Sequence, residues 1–217
     1  MKNRNLVVLG LLLVLFSTGC GDWKRIRGNG QITTESRPVS AFTRVIAEGF
    51  YQLEWHPGAP SFSLTTDENL VSRIKSVMEG DVLRIKLEDA ISPTKGIKIA
   101  ISSPSLTGAD LSGALELDAS QLSGDKFALE TSGAGKVTLA GKVNRFIGNL
   151  TGATKLRASD LAAQDVEISI TGAGKADVSA TNLLRAAITG AGKVSYSGHP
   201  KSVEKQIAGA GSISPND

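Results

Sequence analysis

The second half of the chain repeats itself, and that repeat restricts the fold more than any other feature of the sequence. The segments LSGALELDAS from Leu111, TSGAGKVTLA from Thr131, LTGATKLRAS from Leu150, ITGAGKADVS from Ile170, ITGAGKVSYS from Ile188 and IAGAGSISPN from Ile207 are variants of one unit. Their first glycines are Gly113, Gly133, Gly152, Gly172, Gly190 and Gly209, at intervals of 20, 19, 20, 18 and 19 residues. Units of this length recur in stacked architectures, where each repeat contacts only its neighbours.

The pattern inside a unit is that of strands. Val166, Ile168 and Ile170 alternate with Glu167 and Ser169. After each glycine, Leu117, Val137, Leu156, Ala176, Val194 and Ile213 come first, and Ala119, Leu139, Ala158, Val178 and Tyr196 lie two residues on. A period of two buries one face of a strand. Each unit therefore reads as strand, glycine corner, strand and loop. Two short strands per unit suit one coil of a solenoid whose neighbours stack about 4.8 Å apart. The 24 glycines and an aromatic content of only 5% agree with a thin core built from Val, Ile, Leu and Ala. The expected fold is all-β: a parallel β-helix-like solenoid with coils of about 19 residues, preceded by a less regular β-rich segment.

In that less regular part, residues 28–105, strands are expected at Gln31–Ser36, Phe42–Ala47, Tyr51–Trp55, Ser61–Thr65, Val82–Leu87 and Ile97–Ser102. A helix of a turn or two is expected over Asn69–Met78. Leading solenoid coils and a separate β-domain both fit the segment. The division expected is a signal peptide at 1–19, a lipidated tether at 20–27, the irregular β-rich segment at 28–105 and the solenoid at 106–217.

The signal peptide is read from Lys2 and Arg4, the apolar run Leu6–Phe16 and the small residues Ser17, Thr18 and Gly19. That run is too short to span a bilayer, which takes about 20 apolar residues. Cys20 follows at once and is the only cysteine, so it has no partner within the chain. The arrangement resembles the acylation motif of bacterial lipoproteins, with Ser17 standing where that motif usually has an aliphatic residue. Cys20 is the expected lipidation site and membrane anchor. Gly21 stands where Asp commonly signals inner-membrane retention, so the outer membrane is the expected location.

Cleavage before Cys20 removes Lys2 and Arg4 and lowers the formal net charge from +3 to +1. A near-neutral body argues against nucleic acid, which needs a strongly basic face.

Candidate chemistry is sparse. Lys136, Lys155, Lys175 and Lys193 share one column of the repeat, with Glu116 and Ser212 at its ends. Stacked like charges repel, so this column faces water. It reads first as a solvated edge that discourages aggregation and second as a ladder for an acidic glycan or lipid headgroup. The GAGK segments are not phosphate loops. Val137, Ala176 and Val194 stand after the lysines where Ser or Thr is required, and strands succeed them where that loop needs a helix. His56 and His199 are the only imidazoles, and each precedes a proline, so no metal site and no cofactor is expected. Hydrolysis of a glycoside needs two carboxylates flanking the bond. Asp118 and Asp177 share a column but lie three coils apart, and no carboxylate cluster is expected.

Several stretches together carry a resemblance. They are GNGQITTESRPVSAFTRVIAEG from Gly28, DENL at Asp67–Leu70, GDVLRIKL at Gly80–Leu87, the recurring TGAGK, and YSGHP at Tyr196–Pro200. From about Gly28 to the end, the chain resembles the putative auto-transporter adhesin family with a head GIN domain. The resemblance implies an exported bacterial protein, often a lipoprotein, with a β-helix-like fold. It brings no catalytic residues. The expected function is a non-catalytic, membrane-anchored adhesion or binding module of the cell envelope, with an unidentified glycan or protein ligand. The alternative is a polysaccharide lyase or hydrolase built on a β-helix.

Overall fold

A computed structural model describes residues 25–216. The fold is all-β and repetitive, with a solenoid-like stack of parallel strands. The first half contributes β1 (Ile26–Arg27), β2 (Ile32–Ser36), β3 (Arg44–Gly49), β4 (Gln52–Pro57), β5 (Ser61–Asp67), β6 (Ile74–Glu79), β7 (Val82–Leu87), β8 (Ile91–Ser92) and β9 (Lys98–Ser103). The second half contributes β10 (Gly108–Gly152), β11 (Lys155–Gly172), β12 (Lys175–Gly190), β13 (Lys193–Ser197), β14 (Ser202–Gly209) and β15 (Ser212–Pro215).

The apolar half of the alternation is buried inside the coils. Leu129, Phe146, Leu150, Val166, Ile168, Ile170, Leu184 and Ile188 point inward before the corner, and Leu117, Val137, Leu156, Ala176 and Val194 do so after it. Each large aliphatic side chain removed from water contributes about 1.5–3 kcal/mol, so the stack is held together coil by coil. Gly152 pairs with Gly172, Gly172 with Gly190, and Gly190 with Gly209. These steps are of unequal length, so no exact period holds. The corner needs glycine. Gly172 has φ +115° and Gly190 φ +118°, and a Cβ on either would lie 2.6 Å from the carbonyl oxygen of the glycine one coil before it.

The stretch expected to be a loop is also paired. Gly141, Lys142 and Val143 lie beside Leu161, Ala162 and Ala163, which puts Val143, Leu161 and Ala163 in the core. A third ladder therefore helps to close the coils of β10, β11 and β12. It escapes the repeat because the residues that build it share no motif, only an apolar position.

In the first half the chain does not stack in sequence order. β3 and β4 pair in parallel with Gly108–Gly113 and Glu116–Ala119 of β10. β7 and β9 then pair in parallel on the far side of β3 and β4. Segments between β4 and β9, joined by β2 from earlier in the chain, build a cover for this end. β5 runs antiparallel to β9, β2 antiparallel to β5, and β6 antiparallel to β7. Phe42, Phe62, Leu64, Leu70 and Ile74 fill the space beneath. Arg37 locks the cover by donating to the Ile74 carbonyl at 2.6 Å and the Val71 carbonyl at 3.0 Å, with its guanidinium over the Phe62 ring.

The helix expected over Asn69–Met78 is replaced by a 3₁₀ turn, Glu68–Arg73, and then β6. From Ile74 onward burial alternates: Ile74, Ser76 and Met78 turn inward while Lys75, Val77 and Glu79 face out. The neighbouring strand β7 sets that period, overriding the local helical tendency.

Candidate functional site

The stacking creates three surface features. The first lies before the glycine corner, where outward side chains form two polar columns. One holds Ser112, Ser132, Thr151 and Thr171, and the other holds Asp110, Glu130 and Asn149. All of these except Thr171 line, with Glu48 and Ile46, a shallow groove of about 350 Å³. Asp110 and Glu130 occupy neighbouring coils, about 4.8 Å apart along the stack. Sequence reading did not single out this pair. The signal was present in the repeat, since each residue stands three before its corner glycine. Asp110 is engaged by Arg44, whose guanidinium reaches both carboxylate oxygens at 2.8 Å. Glu48 meets Arg84 at 3.4 Å. Among the described residues no group of three or more His, Cys, Asp or Glu side chains is placed to hold a metal ion.

The second feature is the lysine column. Lys136 pairs in register with Lys155, Lys155 with Lys175, Lys175 with Lys193, and Lys193 with Ser212. Lys155, Lys175 and Lys193 are exposed and Lys136 is half-buried. Glu116 stands one coil before Lys136 and is ion-paired to it. The Lys136 ammonium holds the Glu116 carboxyl below the usual carboxylate range. Lys155, Lys175 and Lys193 make no ion pair among the described residues.

The third feature continues that column toward the covered end. Past Glu116 the same position holds Gln52 and then Lys98. Here the surface sinks into a depression of about 550 Å³ whose lining includes Phe50, Gln52, Lys95, Lys98, Glu116 and Lys136. Phe50 is one of the few large apolar side chains left exposed, at 37%. The register shows Gln52 and Lys98 joining the lysine column. Sequence reading missed them because their coils are interrupted by the cover.

Cys20, the expected lipidation site, lies outside the described residues. No helix among the described residues is long and apolar enough to cross a membrane.

Known proteins share this architecture. A putative adhesin from Bacteroides fragilis superposes with a TM-score of 0.69 at 22% identity, covering 88% of this chain and 100% of its own. A putative adhesin from Parabacteroides merdae gives 0.55 at 21% identity, covering 89% of this chain and 99% of its own. A putative lipid binding protein from Parabacteroides distasonis gives 0.50 at 24% identity, covering 89% and 100%. At these identities the likeness is one of fold. No curated protein matches the chain. The family profile described as "Putative auto-transporter adhesin, head GIN domain" matches residues 41–200, and the chain belongs to that family.

Proposed function

We propose that this protein is a non-catalytic binding module of the bacterial cell envelope, tethered to the outer membrane through acyl groups on Cys20. In this reading the repeats form a parallel β-helix with coils of about nineteen residues, residues 106–217. It presents straight columns of side chains to a ligand. Membership of the adhesin family supports the binding role. The observation that carries it is the state of the groove carboxylates. Asp110 is clamped by Arg44 and Glu48 meets Arg84, which leaves Glu130 as the one groove carboxylate without an ion pair among the described residues. Several acyl chains on one cysteine would hold the protein firmly, whereas a single chain holds only marginally.

The anchor is tested by growing cells with a clickable fatty acid. The native chain takes up label and fractionates with membranes, and Cys20→Ser does neither. Equal labelling of the Ser variant places the acyl group elsewhere and sinks the anchor.

A second reading, a polysaccharide-cleaving enzyme, is favoured by the shared groove of Asp110 and Glu130. Against it, both carboxylates project from one sheet face. An acid and its partner must flank the scissile bond from opposite sides.

A further inference from the structure

We infer that the corner carrying the lysine column is an axial trough for an extended acidic glycan, with one carboxylate or sulfate on each sugar. The inference rests on the binding-module reading and names its ligand class.

The proposed trough would run along the stack beside the lysines and end in the depression at the covered end. Its floor is the column of exposed alanines, Ala134, Ala153, Ala173 and Ala191, one residue past each corner glycine. Their small side chains let a flat polymer approach the backbone. The wall is Lys136, Lys155, Lys175 and Lys193, in unbroken register. The head is the depression of about 550 Å³, where Phe50 offers an exposed ring and Lys95 and Lys98 add two cations. An aromatic face suits the C–H side of a sugar ring, and the cations suit its acid group. Neither Lys95 nor Lys98 makes an ion pair among the described residues. Six cations thus line the trough against one acid, Glu116, which Lys136 already neutralises. The next outward column sets Glu54, Asp118 and Asp177 against Arg157 and is net acidic, so the excess of positive charge is confined to the trough.

Solubility alone does not account for the column. Like charges in register are destabilising, and the fold does not require a cation there, since Gln52 and Ser212 take the same position. Nor do these lysines guard an open edge. Lys155 and Lys175 have a paired strand on both sides. The column supplies one positive charge every 4.8 Å or so along the stack. An acidic glycan in extended form repeats its charge on the same scale. Globular anions and branched polymers do not.

Binding of oligogalacturonates of one to eight sugars to the full chain tests this, with neutral oligosaccharides of equal length beside them. Affinity should climb with length, level off once the trough is filled, and fall with added salt. The triple substitution Lys155→Gln, Lys175→Gln, Lys193→Gln should weaken the longer oligomers by about tenfold or more. Lys126→Gln with Lys142→Gln, away from the trough, should leave affinity unchanged. Three results overturn the inference: no dependence on length, equal loss in the control variant, or retention by vesicles containing anionic phospholipid with no binding of any oligogalacturonate. The last assigns the lysines to a lipid surface. Retention of the chain by purified envelope polysaccharide separates this failure from that of the binding-module reading. If the triple variant is retained as well as the native chain, the protein binds by another face.

Discussion

Thr94 donates twice to the carboxylate of Asp67, through its hydroxyl at 2.7 Å and its backbone N–H at 2.8 Å. Gly30 adds a third donor, its N–H at 2.8 Å. Asp67 is buried, and it ties the approach to β2, the end of β5 and the loop before β9 into one cover. Burial pushes its carboxyl up, but the bonds from Thr94 and Gly30 outweigh that and hold it below the ordinary value.

A depressed carboxyl stabilises the fold above its unfolded value, and that stability is lost as pH falls through the folded value. The cover should therefore weaken on acidification below about pH 4, the ordinary Asp range. The native chain should melt above Asp67→Asn at neutral pH, and the gap should close in acid. Thermal melts of both chains across pH check this. A gap that stays constant with pH removes the carboxylate from the account.

Replacing Gly172 by Val should destabilise the stack by about 1–3 kcal/mol, the scale of a strained backbone position. The φ of +115° disfavours any L side chain, and the new Cβ would meet the Gly152 carbonyl. A lowered denaturation midpoint is the expected readout. Full tolerance of Val would mean that the corner can be built without glycine.

The last coil is blunted by charge. Lys205 stands in the inward column that Ala186 occupies one coil earlier. Its ammonium sits over the Tyr196 ring at 5.3 Å and donates to the Ile213 carbonyl at 3.1 Å. Pro215 pairs beside Tyr196 and has no N–H to offer a further strand. Inward charges and prolines are common defences of open sheet edges, and Ile207 beside them is 45% exposed. Lys205→Val combined with deletion of Ser214–Asp217 should turn a monomer into larger species by light scattering. A native chain that is already dimeric and falls apart on this change would show the end to be an interface.

The coils from Leu111 onward were legible because one motif marks each corner and apolar alternation marks each strand. Lys136, Lys155, Lys175 and Lys193 fell into register by counting from the glycine. The first half was not legible in the same way. β3 and β4 belong beside β10, yet some fifty residues of cover and outer coil intervene between Pro57 and Gly108. No local pattern reports a partner that far along the chain. The strand β6 was hidden for a related reason, since its period comes from pairing with β7. Asp110 and Glu130 were legible by counting backward from Gly113 and Gly133, but the motif is strongest on the C-terminal side of each glycine.

The claim that this surface binds and does not cut is tested most directly by incubating the full chain with acidic and neutral polysaccharides. Retention of the polymer and release of new chain ends are measured in the same samples. The account predicts that acidic polymers are retained and recovered at full length, by the native chain and by Asp110→Asn and Glu130→Gln alike. New chain ends that appear with the native protein and vanish in either variant would contradict it.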